Sequence, residues 1–349
     1  MKNKKLLILP ILMAGVSLSG CDVGMGTMGL AKISNYSNEV SYSEFASTLV
    51  ENVKKSRFGS ESYKPGDAVI KTEVKGTFNQ KVTNNAYKQS TRNEAKLKLN
   101  TDAKFSYDAD NESLDGTAKV NFTLKEENAL LGKANASYKN ELNVASQPGK
   151  ENKYSLISKD DEFFYNLDLG EGGSLNDLIA EFVREGVKEL STEVEEGLSD
   201  ESIKEFINSM NEDENMNASL KFYADNQVFT AVFNVDYREN LKSREIINDQ
   251  ETYVTYGKVH YNVECVAQIK VEKVLKVVAS VKGKIEADFS ENRSSVLDDF
   301  IPTFSGLVSG DCAEGDKEVI DLDLVTGVSL EQKDVTNEKV DLSQYREIK

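Results

Sequence analysis

One thiol in this chain is placed for chemistry of its own: Cys21, closing Leu18-Ser19-Gly20-Cys21 directly after an apolar run. The basic start Met1-Lys2-Asn3-Lys4-Lys5 leads into Leu6 to Leu18, which is almost entirely apolar. A positive start, a short apolar core and small residues before a cut are the anatomy of an export signal, too short to be a bilayer span. In the oxidising exterior that such a signal implies, the two remaining cysteines, Cys265 and Cys312, either form a disulfide or stay as two thiols. Cys265 falls on the apolar side of a strand and Cys312 in a loop after a helix. The single histidine, His260, falls on the polar side of its strand. One histidine leaves His-rich metal sites and Ser/His or Cys/His catalysis without material.

Other chemistry is scarce. The chain holds no G-x-S-x-G, H-E-x-x-H or P-loop pattern. Adjacent carboxylates such as Asp160-Asp161 and Asp298-Asp299 are what chance produces among 59 acidic residues. Asp108-Ala109-Asp110-Asn111-Glu112 has oxygen ligands but not the spacing of an EF-hand, and reads as a solvated hairpin tip. The absence of tryptophan speaks against a stacked carbohydrate surface. No catalytic residue, no metal and no diffusible cofactor is expected.

The elements that would position any site have a clear period. Residues 21–40 are rich in Gly, Ser, Asn and Met without periodicity and read as a flexible tether. Tyr42, Phe45, Leu49 and Val53 recur at helical spacing behind Ser41, a plausible cap. Alternation of period two then dominates. Ile70, Val74, Phe78 and Val82 oppose Lys71, Glu73, Lys75 and Lys81, and similar stretches run over 95–107, 114–124 and 132–144. Shorter strands are predicted at 154–158 and 163–169, and turn signals make neighbours antiparallel. Helical stripes follow at 175–194 and 203–210. Alternation returns at 216–224, 229–237, 253–271 and 275–289. A helix over 296–304 and a strand over 319–325 complete the list.

These elements predict an α+β, mostly β fold: long antiparallel strands in a curved, half-barrel-like sheet whose concave apolar face is covered by helices. The domain is expected over 41–326, after a signal at 1–20 and the tether, with a polar tail at 327–349. Small inward residues such as Gly116, Ala134 and Gly283 would let the sheet bend. Phe105, Phe122, Tyr138, Phe222, Phe233 and Phe289, interleaved with them, are the candidate lining of an apolar pocket. Filling of the trough by the helix stripes is the equal alternative. A membrane barrel is disfavoured, because helices interrupt the meander and the strands exceed the 9–11 residues a bilayer needs. Formal charge is −17, and loss of Lys2, Lys4 and Lys5 with the signal takes it to −20. Such a surface repels nucleic acid and anionic headgroups, so membrane attachment is expected from a lipid alone.

Leu18, Ser19, Gly20 and Cys21 resemble the lipobox of bacterial lipoproteins. The resemblance implies cleavage before Cys21 and a thioether from its sulfur to diacylglycerol, hence anchoring on the extracytoplasmic side of a membrane. The order helix, long meander, paired helices, further meander over 40–326 resembles the lipoprotein-carrier (LolA-like) fold and the related mycobacterial lipoproteins that bind acylated lipids. It implies a half-barrel around an apolar cavity that accepts acyl chains, and no residue roles carry over. The functional expectation is a membrane-anchored lipoprotein that binds or carries an apolar or acylated ligand. The alternative is a non-enzymatic envelope interaction protein with a filled core, its protein partner unspecified.

Overall fold

The computed structural model describes residues 30–56, 66–84, 90–108, 113–128, 132–147, 153–159, 162–168, 199–247, 250–291, 293–294, 311–312, 314–336 and 341–348. The signal, the lipobox with Cys21, the helical stripe at 175–194 and the helix at 296–304 lie outside the described residues. In chain order the elements are β1 (Glu39–Val40), α1 (Tyr42–Lys55), β2 (Ala68–Thr83), β3 (Ser90–Asp108), β4 (Ser113–Asn128), β5 (Gly132–Ser146), β6 (Lys153–Ser158) and β7 (Phe163–Asp168). Then come α2 (Asp200–Met210), β8 (Met216–Asp225), β9 (Val228–Ile247), β10 (Gln250–Val271), β11 (Val274–Phe289), β12 (Arg293–Ser294), β13 (Asp311–Cys312), β14 (Lys317–Gln332) and β15 (Arg346–Ile348).

The alternation translates into one open, curved sheet of 13 strands in the order β1-β8-β9-β10-β11-β14-β2-β3-β4-β5-β6-β7-β15. Each predicted strand is present, and several run longer, such as β9 to Ile247 and β14 from Lys317 to Gln332. The two meanders are joined by β14, which pairs antiparallel with β11 on one side and β2 on the other. The region expected as a polar tail from 327 therefore begins inside the central strand and returns to the sheet at β15, parallel to β7.

Register carries one apolar parity across the whole sheet. Phe222 faces Ala231, Ala231 faces Ala267, Ala267 faces Ala279, and the row continues through Thr326, Val74, Leu99 and Phe122 to Tyr138. Because side chains alternate strictly, that row defines an apolar face and leaves the lysines and carboxylates on the other.

Both described α-helices pack against β8, at one end of the sheet. The Ser41 hydroxyl caps α1 by accepting from the Glu44 N–H at 3.2 Å, satisfying a donor the helix itself cannot pair. The stripe Tyr42, Phe45, Leu49 and Val53 is buried against Phe222 and Phe229. Burial and the nearby Asp200 carboxylate push the Tyr42 hydroxyl up to about 12. The Ser43 hydroxyl donates to Asp200, which tethers the start of α2 to the start of α1.

Residues 30–38, the second half of the stretch expected as a tether, form a strap across the polar face. The Ala31 N–H donates to Glu73 Oε2 at 2.9 Å, Ser34 N–H donates to Gln268 Oε1 at 2.8 Å, and Ser37 N–H donates to Asp225 Oδ2 at 2.9 Å. The strap thus crosses from β2 to β8, turns the sheet edge as β1 and enters α1 on the apolar face. Gly327 makes its seat: a Cβ there would lie 2.7 Å from the Leu30 carbonyl oxygen, backbone that cannot step aside.

Burial would raise the Glu73 carboxyl, but Lys75 Nζ at 2.7 Å and the Ala31 N–H outweigh it and hold the group below the usual carboxylate range. A depressed carboxyl contributes stability above its unfolded pKa and loses it as pH falls through the lower folded value. Protection of the Ala31 amide, relative to its intrinsic exchange rate, should therefore fall on acidification below about pH 4 before the rest of the sheet opens. Glu73→Ala leaves the Ala31 donor unpaired and should cost about 1–3 kcal/mol. Unchanged exchange at Ala31 in that variant would contradict the strap.

Candidate functional site

The apolar face is packed in two places and left open between them. A first cluster, on the α1 side, gathers Phe222, Phe229, Ala231, Ile269 and Val271 under the helix. A second, at the other end of the strands, gathers Leu241, Val259, Ala287, Phe289, Cys312 and Ile320, with Phe78, Tyr261 and Ile285 against it. Between them two cross-strand rows form a belt: Phe233, Cys265, Val281, Leu324 and Gly76, then Val235, Val263, Gly283, Leu322 and Phe78. None of these belt residues is buried, and Leu322 and Leu324 are 38% and 37% exposed.

Glycine explains the floor of the belt. A Cβ on Gly283 would meet only Leu322 at 3.8 Å and Val263 at 4.0 Å, so the space above it is open. Gly116 is the opposite case. Its missing Cβ is replaced by the Phe105 ring, which would lie 2.5 Å from one. Small residues in the alternation therefore mean two different things here, a filled socket on β4 and an unfilled trough on β11.

The six residues predicted to line a pocket share the apolar face but not one site. Phe222 is core in the first cluster and Phe289 in the second. Phe233 alone of the six stands in the belt, at its β9 end. Phe122 and Tyr138 face each other on β4 and β5, and Tyr138, 48% exposed, accepts from Asn140 Nδ2. Phe105 covers Gly116. Sequence reasoning missed the belt's own centre, Leu322, Leu324 and Gly76, because β14 had no assigned neighbours. Its alternation Ile320, Leu322, Leu324 was the available signal.

No disulfide joins Cys265 to Cys312. Cys265 lies in the belt, whereas Cys312 packs with Phe289, whose cross-strand partner on β10 is Gly257. Eight residues of strand separate those positions, about 27 Å, where a disulfide needs its Cα atoms within about 7 Å. Burial, then the nearby Glu264 carboxylate, pushes the Cys265 thiol up.

Beside the second cluster a cavity of about 1010 Å³ opens, with a largely polar lining. Tyr237 and Tyr261 stack at its wall with ring centroids 6.0 Å apart, among Glu239, Glu286, Asp288, Glu318, Arg238, Lys258 and Lys317. His260 is half-buried there rather than solvated: its Nε2 is 2.9 Å from Asp236 Oδ2 and its Nδ1 3.8 Å from Glu286 Oε2. Its cross-strand neighbours are Arg238 and Glu286. Among the described residues no group of His, Cys, Asp and Glu is arranged to hold a metal ion, and no helix is long and apolar enough to cross a membrane.

No protein-family model and no curated protein matches the chain. Among solved structures it is similar to the outer membrane protease OmpT from Escherichia coli at TM-score 0.19 and 7% identity, covering 76% of this chain and 96% of that one. An InvG secretin domain β-barrel from Salmonella gives TM-score 0.16 and 8% identity over 97% of this chain and 81% of that one. An outer membrane lipoprotein-sorting protein domain from Vibrio parahaemolyticus gives TM-score 0.10 and 11% identity over 80% and 92%. At such scores none of them establishes a shared fold.

The geometry sets an expectation for the thiols. In denaturant both Cys265 and Cys312 should titrate without prior reduction, and in the native chain both should alkylate slowly, Cys312 slowest at 1% exposure. A mass increase of two only on reduction would contradict it.

Proposed function

We propose that this chain is a lipid-anchored extracytoplasmic protein that holds an apolar or acylated ligand along the belt of its sheet. The observation that carries the reading is the one-sidedness of the exposed apolar residues. Among the described residues, Tyr138, Leu156, Tyr165, Leu322, Leu324 and Ile348 all fall on the apolar face, and Tyr253 alone does not. Water-exposed apolar surface gathered on one face is a binding surface rather than scatter.

The belt suits a chain-like ligand. It runs across β9, β10, β11, β14 and β2 between two solid clusters, is floored at Gly283 and Gly76, and lies two residues along β11 from Ile285, the cross-strand partner of the cavity-lining Tyr261. An acyl chain on the belt could leave its head group among the tyrosines and charges of that cavity. Burial of a 16-carbon chain would contribute roughly 10 kcal/mol at about 0.8 kcal/mol per CH₂, before ordering costs. Anchoring rests on the Cys21 motif.

A second reading has its own support. Tyr138, Leu156, Tyr165 and Ile348 stand at the β5–β7–β15 end, away from the belt, and are the natural contact for a protein partner.

Gly283→Leu separates the two. Its Cβ would meet only the Leu322 and Val263 side chains, so the substitution adds bulk over the belt. Affinity for a fluorescent fatty acid should fall by about tenfold or more, as for any group that fills a pocket position, while far-UV circular dichroism stays unchanged. Equal affinity in both proteins, or no uptake by the parent chain, would leave the protein-contact reading standing.

A further inference from the structure

The polar face of the sheet is not uniform in charge, and its most basic part lies where the strap delivers the N-terminal chain. Register places Lys71, Asp102, Lys119 and Glu141 in one cross-strand row, Glu73, Asn100, Asn121 and Lys139 in the next, and Lys75 opposite Lys98 in a third. Over β2–β5 that face presents ten lysines against six carboxylates among residues whose side chains are described. Height sharpens the asymmetry. Eight of the lysines are exposed, whereas of the carboxylates only Glu127 is, and Glu73 is 3% exposed. Lys81, Lys98, Lys104, Lys125 and Lys139 make no salt bridge among the described residues. A chain of net charge −17 thus carries an outward layer of ammonium groups on one patch.

The second observation is geometric. Leu30 and Ala31 are buried, and Ala31 is fastened to Glu73 on β2, so the chain leaves the domain on this same face. Residues 22–30 separate that fastening at Ala31 from Cys21, and a fully extended chain gains at most about 3.6 Å per residue. Cys21 is therefore held within about 36 Å of Ala31.

From these two observations we infer that the β2–β5 polar face lies against an anionic bilayer, with the apolar belt turned away from it. The inference rests on the lipid-anchor reading for the leash, while the charge layer is independent of it. It replaces the expectation that the protein surface opposes the membrane: net charge does, but the face that the leash brings down does not. Local charge decides within a Debye length, about 8 Å at physiological salt.

The test uses the full chain produced with its signal and reconstituted into vesicles of phosphatidylglycerol or of phosphatidylcholine. Lysines are acylated with a membrane-impermeant reagent and read by peptide mass spectrometry. In phosphatidylglycerol, Lys98, Lys104, Lys125 and Lys139 should label about fivefold more slowly than in phosphatidylcholine, and high salt should remove the difference. Lys54 and Lys221, on α1 and β8, should label alike in both. Lys98→Glu with Lys125→Glu should abolish protection at Lys104 and Lys139. The N-terminal peptide in the same digest reports the diacylglyceryl group on Cys21. An anchored chain whose basic face labels equally in both lipids overturns this docking and leaves the anchor reading intact. A chain without lipid on Cys21 overturns both.

Discussion

The structure depends on β14. Along one edge this strand pairs with β11 and along the other with β2, and without it the sheet would divide into β1 with β8–β11 and β2–β7 with β15. The seam is closed by residues far apart in sequence, so its register needs more than backbone hydrogen bonds, which any even slip would restore. Two side-chain devices set it. Gln80 Nε2 donates to the carboxylate of Glu318, which is fully buried. A slip would separate that carboxylate from its amide, and a buried group that loses a hydrogen-bond partner costs about 1–3 kcal/mol. Gly327 opposes Glu73, so that the seat of the strap and its anchor meet side by side. The seam thus fixes the belt on one face and the strap on the other with the same set of pairings.

The two faces then divide the work by chemistry. On the apolar face, Leu322 and Leu324 of β14 sit between two consolidated clusters and stay exposed, because the neighbouring rows contribute Gly283 and Gly76 rather than bulk. On the polar face, the strap donates its Ala31 and Ser34 N–H groups to Glu73 and Gln268 and so converts a length of chain without regular structure into a fixed attachment. A ligand on the belt and a bilayer under β2–β5 would occupy opposite sides of a single layer of backbone, and neither excludes the other.

Much of this was legible in the residues. Alternation such as Ala95, Leu97, Leu99 and Val277, Ala279, Val281 locates nearly every strand and names its inward face, since a side-chain period of two is a local property. The cap at Ser41 was equally local. What stayed hidden was pairing. Nothing near Ile320 or Leu324 says that β14 lies between β11 and β2, because that choice is made by non-local fit. The strap was unreadable for a related reason: Ala31, Ser34 and Ser37 are held through backbone N–H groups by distant side chains, and backbone donors leave no trace in composition. The same blindness left only Phe233 of the six predicted pocket residues in the belt, with the others in the two cores or on β3–β5, and allowed a disulfide between positions that lie far apart.

The account turns on the belt being a ligand surface. A photoreactive fatty acid, irradiated with the full chain and mapped by peptide mass spectrometry, tests this most directly. Adducts on the β14 peptide holding Leu322 and Leu324, and on the β11 peptide holding Gly283, are the expected result. Adducts confined to the β5–β7 edge, or none above the level seen with denatured chain, would contradict it.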